Sequence, residues 1–261
     1  MYIIGLILSV LIGVVLGLVG GGGSILTVPL VSIFFGTSMM LATTYSLFVV
    51  TAAASVGVFR SRKSGNIDFR QGLTFAVPSM LVAFFIRKTI MPNFPDNLAF
   101  GEIIISRDIA ITIMLILVIL FVAIKSFLSK KVPSKEVTPV YVVILFGLLT
   151  GGLSGFIGAG GGFIIVPILL RMGLSVKKAV GTSMLIISIQ SFVALIGDVF
   201  NPEILLGINW VLLLSLTIMT IGGVLIGSYL QKHFTGAILK LIFNILLILV
   251  AIGLCIKLFL N

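Results

Sequence analysis

The chain predicts an all-α polytopic membrane protein: an inverted repeat of two four-segment halves, with six full transmembrane helices and two glycine-broken re-entrant helical hairpins. One observation is composition. Of 261 residues 59% are hydrophobic and 9% charged, and the mean hydropathy is +1.35. A soluble core of this size needs a far more polar surface than 17 basic and 7 acidic side chains provide, so the bilayer is the solvent. A second observation is an internal repeat. Gly20-Gly21-Gly22-Gly23-Ser24-Ile25-Leu26-Thr27-Val28-Pro29 returns as Gly158-Ala159-Gly160-Gly161-Gly162-Phe163-Ile164-Ile165-Val166-Pro167. At a constant offset of 138 positions Gly20 matches Gly158, Gly22 matches Gly160, Gly23 matches Gly161, Val28 matches Val166 and Pro29 matches Pro167. The third is that basic residues fall in short clusters between apolar segments, as topology determinants do.

Apolar segments run at about 3–35, 39–59, 73–91, 108–128, 139–171, 177–197, 208–230 and 236–257. Short connections make residues 1–261 one membrane domain. The polar stretch Ser129-Lys130-Lys131-Val132-Pro133-Ser134-Lys135-Glu136 divides it, giving half one at 1–128, a cytoplasmic linker at 129–138 and half two at 139–261. The first segment of each half is too long for one span. About 33 residues of straight helix measure about 50 Å, against a hydrocarbon thickness of about 30 Å. Each glycine costs roughly 1 kcal/mol against alanine inside a helix, so the helix stops at the glycines and restarts beyond them. Irregular backbone at membrane depth is tolerated only where protein or a wet cavity surrounds it, and duplicated breaks point to a transporter's binding site. Close helix packing or hinging by the same glycines is the other reading.

Charge tests the second hairpin, since no charged residue precedes the first. With both folded back, one side receives Arg60, Arg62, Lys63, Arg70, Lys125, Lys130, Lys131, Lys135, Arg171, Lys177, Lys178, Lys232 and Lys240, 13 in all. The other receives 4, Arg87, Lys88, Arg107 and Lys257, with the acids Asp96, Glu102, Asp108, Asp198 and Glu203. Full crossing by every segment would divide them 9 to 8. The positive-inside rule makes the first side cytoplasmic and puts both termini outside. The halves then enter from opposite faces, which makes the repeat inverted. It extends beyond the glycines, since Ala42-Thr43-Thr44-Tyr45-Ser46-Leu47 parallels Ala179-Val180-Gly181-Thr182-Ser183-Met184.

In such a repeat the short helices start near the midplane with their N-termini facing each other. Unpaired N–H groups and about half a positive charge at each start suit a small anion without a buried cation. The candidate substrate-binding residues are therefore Gly20, Gly21, Gly22, Gly23 and Ser24 in one turn and Gly158, Gly160, Gly161 and Gly162 in the other. Thr43, Thr44, Tyr45 and Ser46, with Thr182 and Ser183, supply hydroxyls that either face the site or serve helix packing. Gln190 either donates inward or bonds across to another helix. Asp108 and Asp198 fall at segment ends, and Arg87 and Lys88 read as snorkelling to the outer face. His233 reads as a turn residue and Cys255 as a small buried hydrophobe.

No paired acids, nucleophile triad or metal-ligand cluster presents itself, so neither an enzyme, a cofactor nor a metal is expected. The basic clusters form no nucleic-acid face. No basic n-region precedes the first segment, which is expected to be retained and not cleaved as a signal peptide.

The duplicated Gly-rich turn ending in Val-Pro, each copy followed by an Ala-x-x-Thr-Ser-Leu type segment, resembles the sulfite exporter TauE/SafE family of membrane permeases. The second copy fits closely; the first has Tyr45 where the pattern usually has threonine. The resemblance implies transport of small sulfur-containing anions such as sulfite, sulfonates or thiosulfate across a bacterial or archaeal cytoplasmic membrane. The third segment has Met80, Leu81, Phe84 and Phe85 where small packing residues are expected, whereas the seventh keeps Gly222, Gly223 and Gly227. The expected function is a secondary transporter of such an anion working by alternating access, with the lipid bilayer as its surroundings. A passive anion channel and a non-transporting scaffold or sensor are the alternatives; direction, coupling ion and oligomeric state stay open.

Overall fold

The computed structural model describes residues 2–100, 103–128, 139–231 and 236–260. The predicted linker 129–138, with Lys130, Lys131 and Lys135, and also Lys232 and His233, lies outside the described residues.

Helix α1 (Tyr2–Val19) ends at the first glycines, a 3-10 turn (Gly22–Leu26) follows, and α2 (Thr27–Phe35) runs back along α1. The Phe35 ring returns to Tyr2, edge to face with centroids 5.3 Å apart. Helix α3 (Met39–Lys63) starts on Ser38, whose hydroxyl accepts from Leu41 N–H, and ends with Arg60, Arg62 and Lys63 at its negative dipole end. Helix α4 (Phe69–Phe85) starts four residues before the apolar run from 73, because the Asp68 carboxylate accepts from Gln71 N–H at 3.0 Å and caps it. It continues as a π-helical turn (Ile86–Ile90), in which Met91 N–H reaches Ile86 O at 2.8 Å.

An antiparallel ribbon of β1 (Asn97–Phe100) and β2 (Ile103–Ser106), with Asn97 opposite Ser106, joins α4 to α5 (Arg107–Leu128). It is a local addition to an otherwise helical chain: this connection holds a β-rich run, Ile103-Ile104-Ile105, too short for a helix of its own. In the second half α6 (Val140–Ile157), α7 (Gly162–Arg171), α8 (Val176–Val199), α10 (Trp210–Leu230) and α11 (Gly236–Leu260) follow the predicted order. A short α9 (Pro202–Gly207), not expected, forms because Asn201 caps it and Pro202 opens it.

Among the described residues seven helices are long and apolar enough to cross a membrane: α1, α3, α4, α5, α6, α8 and α10. Exposed Ile7, Leu81, Leu117, Leu145 and Ile218 give them an apolar outer surface suited to lipid.

The helix pairings of one half recur in the other. Helix α1 packs on α10 and α6 on α4; α2 lies on α3 and α7 on α8; α3 meets α8, and α5 meets α11. Glycines set the closest of these. A Cβ added to Gly17 would lie 2.6 Å from Val224 O, and one on Gly155 would lie 2.8 Å from Ile86 Cβ. Gly13 and Gly17 of α1 stand at the repeat offset from Gly151 and Gly155 of α6. The bulky α4 residues that looked incompatible with close packing point elsewhere. Leu81 and Phe85 are exposed, and Phe75, Pro78 and Ser79 face the α6 glycines.

The ends of the bundle differ in charge. At one end, here the basic end, stand Arg60, Arg62, Lys63 and Arg70 with Arg171, Lys177 and Lys178; Thr182 and Asp68 hold the starts of α8 and α4 together there. At the acidic end Asp108 accepts from Met39 N–H at 3.1 Å, Lys257 donates to Ser32 O at 3.0 Å, and Arg107 pairs with Asp96.

Candidate functional site

Both helix breaks rest on glycines in the left-handed region, where a side chain is strained. In the first turn φ is 72° at Gly20 and 102° at Gly21; in the second it is 69° at Gly158 and 66° at Gly161. The turns match on entry and diverge on exit. The first passes through its 3-10 turn before α2, with Ser24 Oγ donating to Gly21 O at 2.7 Å, whereas α7 starts directly at Gly162.

The two turns touch. A Cβ built on Gly162 would lie 2.5 Å from both C and Cα of Gly21, and one on Gly160 would lie 3.3 Å from Ser24 Oγ. Gly20, Gly21, Gly22, Gly23 and Ser24 are all buried, as are Gly158, Gly160, Gly161 and Gly162. The tips therefore stand in direct backbone contact, with Ile187 of α8 packed on Gly21 and Gly160.

Each turn is clasped by the long helix of the opposite half. Ser46 of α3 donates to Gly158 O at 2.8 Å, and Ser183 of α8 donates to Gly20 O at 2.6 Å. Gly158 lies against Thr43, where an added Cβ would sit 2.6 Å from Thr43 O; Gly20 lies against Val180, 2.7 Å from its Cα. One residue before each serine, a hydroxyl receives the N-cap of a helix from the other half. Tyr45 Oη accepts from Asn209 N–H at 2.6 Å and Thr182 Oγ1 accepts from Asp68 N–H at 2.9 Å. Tyr45 thus does the work of the threonine it stands in for. The column of hydroxyls ties the halves together, and Thr43 Oγ1 returns its proton to Met40 O of its own helix.

Gln190 bonds across the bundle. Ser79 Oγ donates to its Oε1, and its Nε2 donates to Thr150 O at 3.3 Å. Its counterpart in α3, at the 137-residue offset of the serine pair, is Ala53, so this bridge has no equivalent on α3.

The side chains that sequence reasoning misplaced are Arg87 and Asp198. Arg87 is 0% exposed and Asp198 1%. Arg87 Nη1 donates to both Asp198 oxygens, at 3.4 and 3.3 Å, and Thr44 Oγ1 donates to Asp198 Oδ2 at 2.8 Å. The π-helical turn rotates Arg87 inward and leaves Lys88 exposed, its ammonium 4.7 Å from the Phe200 ring centroid and 5.5 Å from that of Phe84. Gly197 permits the approach, since a Cβ there would lie 2.7 Å from Arg87 Cβ. A charged pair 111 residues apart carries no local sequence signal. Snorkelling is the ordinary fate of an arginine near a segment end, and Arg87 departs from it.

The duplicated turns and their serine clasps coincide with the reach of one family model: the model described as sulfite exporter TauE/SafE matches residues 5–254. The chain belongs to the TauE/SafE family. Its relatives include a probable membrane transporter protein of Methanocaldococcus jannaschii, 30% identical over 197 residues, 74% of this chain and 70% of the relative. One from Haemophilus influenzae is 29% identical over 274 residues, 97% of each chain. Another, from Bacillus subtilis, is 26% identical over 238 residues, 89% of each. This TauE/SafE member is accordingly a multi-pass membrane transporter, and the family is one of transporters and not of enzymes.

Proposed function

We propose that the protein is a secondary carrier of a small, sulfur-containing anion such as sulfite, a sulfonate or thiosulfate, moving it across the cytoplasmic membrane by alternating access. The observation that carries this reading is the meeting of the two glycine turns inside the protein, each clasped by a serine of the opposite half. Exchange of contacts between halves fits an inverted repeat whose breaks are re-entrant at mid-depth. Both termini and the acidic end then lie outside, and the basic end is cytoplasmic.

The first N–H groups of α7 and of the helical stretch after Gly21 have no preceding turn to bond them, and they lend partial positive charge to any anion held between the tips. With Gly21 against Gly162 the tips are closed. Carriage requires them to part, and the long helices α3 and α8, packed on each other and on the opposite turns, are the elements that move the clasps. Backbone contact across the centre favours a carrier over an open pore.

Counterflow in proteoliposomes tests it. Vesicles loaded with unlabelled sulfite, thiosulfate or methanesulfonate are expected to accumulate the labelled anion transiently and with saturation. Fast uptake without counterflow would indicate a passive channel; no uptake of any oxyanion would remove the reading.

A further inference from the structure

Arg87 presents an unusual edge. A guanidinium that meets a carboxylate in its best geometry uses two N–H groups side by side, with N to O distances of about 2.7–2.9 Å. Here Nη1 alone serves both Asp198 oxygens, at 3.3 and 3.4 Å, while Asp198 is held more closely by Thr44 at 2.8 Å. Nε and Nη2 are buried and have no hydrogen-bond partner among the described residues. These two form the side-on fork of the guanidinium, the edge that matches a pair of oxygens on one oxyanion. Leaving two donors of a buried cation unpaired is costly, so an edge of this kind is expected to have an occupant.

Its position is also informative. Thr44 follows Thr43, which packs on Gly158, and Ile86, the neighbour of Arg87, packs on Gly155 one turn before the second glycine break. The charged cluster therefore adjoins the second glycine turn on the side of the acidic end. Lys88, exposed on the same π-helical turn, adds positive charge at its approach. The first glycine turn lacks the equivalent: the residue matching Thr44 is Gly181, which packs against Asn66 O.

We infer that Arg87 is an anion ligand on the acidic-end approach to the second glycine turn, its Nε and Nη2 taking two oxygens of a small oxyanion while Asp198 and Thr44 hold the guanidinium in register. The inference rests on the carrier reading and names a residue that recognises the cargo. Asp198 is a positioning residue. A fork of two parallel donors selects sulfite or a sulfonate over a spherical halide, which offers no second oxygen.

The test uses the full chain in nanodiscs, with binding of sulfite and methanesulfonate followed by calorimetry and bromide as the spherical control. Arg87→Lys keeps the charge pair and removes the fork; it should weaken oxyanion affinity tenfold or more and narrow the preference over bromide. The double variant Arg87→Gln with Asp198→Asn removes both charges together, so no lone buried ion remains; it should lose oxyanion binding while melting close to the unliganded wild type. If the double variant does not fold, Arg87→Lys decides. Wild-type oxyanion affinity and selectivity in Arg87→Lys, or in a folded double variant, would overturn this inference alone. Absence of an oxyanion response in the wild type would overturn it together with the carrier reading.

Discussion

Replacing Gly162 by alanine probes the contact between the glycine turns with a single methyl group. Gly162 opens α7 with an ordinary helical backbone, so alanine brings no dihedral strain there. The new Cβ would lie 2.5 Å from Gly21 C and Cα and 2.6 Å from Gly21 O, where ordinary contact begins at 3.4 Å. The obstacle is backbone on both sides, with no flexible side chain to swing away, so the turns must separate by about 1 Å at a cost of about 1–3 kcal/mol. Gly222 of α10 is the control, having nothing within 4 Å of its Cβ position. Gly222→Ala should gain up to about 1 kcal/mol from helix propensity. Thermal unfolding of both purified variants, with counterflow of each in liposomes, gives the comparison. Gly162→Ala should melt below the wild type and transport more slowly, and Gly222→Ala should match or exceed the wild type in stability. If Gly162→Ala melted as the wild type and transported at full rate, the reasoning from tip contact would be refuted.

The serine clasps predict paired effects: Ser46→Ala and Ser183→Ala should each lower stability by about 1 kcal/mol in denaturant unfolding, since each leaves a buried glycine carbonyl short of one donor. Tyr45→Phe keeps the ring and removes the hydrogen bond to Asn209 N–H; because Asn209 is exposed and water can replace the hydroxyl, the cost is about 0.5–1.5 kcal/mol in unfolding, and an unchanged midpoint would detach Tyr45 from the α10 cap. For the threading, Ser175→Cys in a Cys255→Ala background should be labelled by an impermeant thiol reagent from the cytoplasmic side alone. Ser175 is exposed at the start of α8, and labelling from outside would invert the topology.

Much of this arrangement was legible in the sequence, and the reason is periodic. A run of glycines in a segment too long for one span marks a broken helix, and the repeat offset that aligns Gly20 with Gly158 also aligns Gly13 and Gly17 with Gly151 and Gly155, the close-packing positions of α1 and α6. The hydroxyl column was legible as a pattern and not as a role. Ser46 and Ser183 bond across the halves to partners 112 and 163 residues away, so their local spacing gave no hint that they clasp the turns. Tyr45 departs from the pattern in residue identity alone, whereas the element shared by the two halves is a hydroxyl oxygen beside a helix start. Arg87 and Asp198 were illegible for a different reason. Each sits near a segment end, where exposure is the ordinary outcome, and a π-helical turn together with Gly197 turns one of them inward. The short α9 and the ribbon between α4 and α5 lie in connections, where capping and turn chemistry outweigh the apolar periodicity that marks membrane segments.

The central claim, that the two glycine turns of opposite halves meet inside the protein, is tested most directly by an electron cryomicroscopy density map of the protein in lipid nanodiscs. Both helices should be broken at their glycines, with Gly21 against Gly162 and the serine hydroxyls of α3 and α8 on the carbonyls of Gly158 and Gly20. Density in which residues 2–35 and 140–171 run as unbroken helices facing lipid would contradict it.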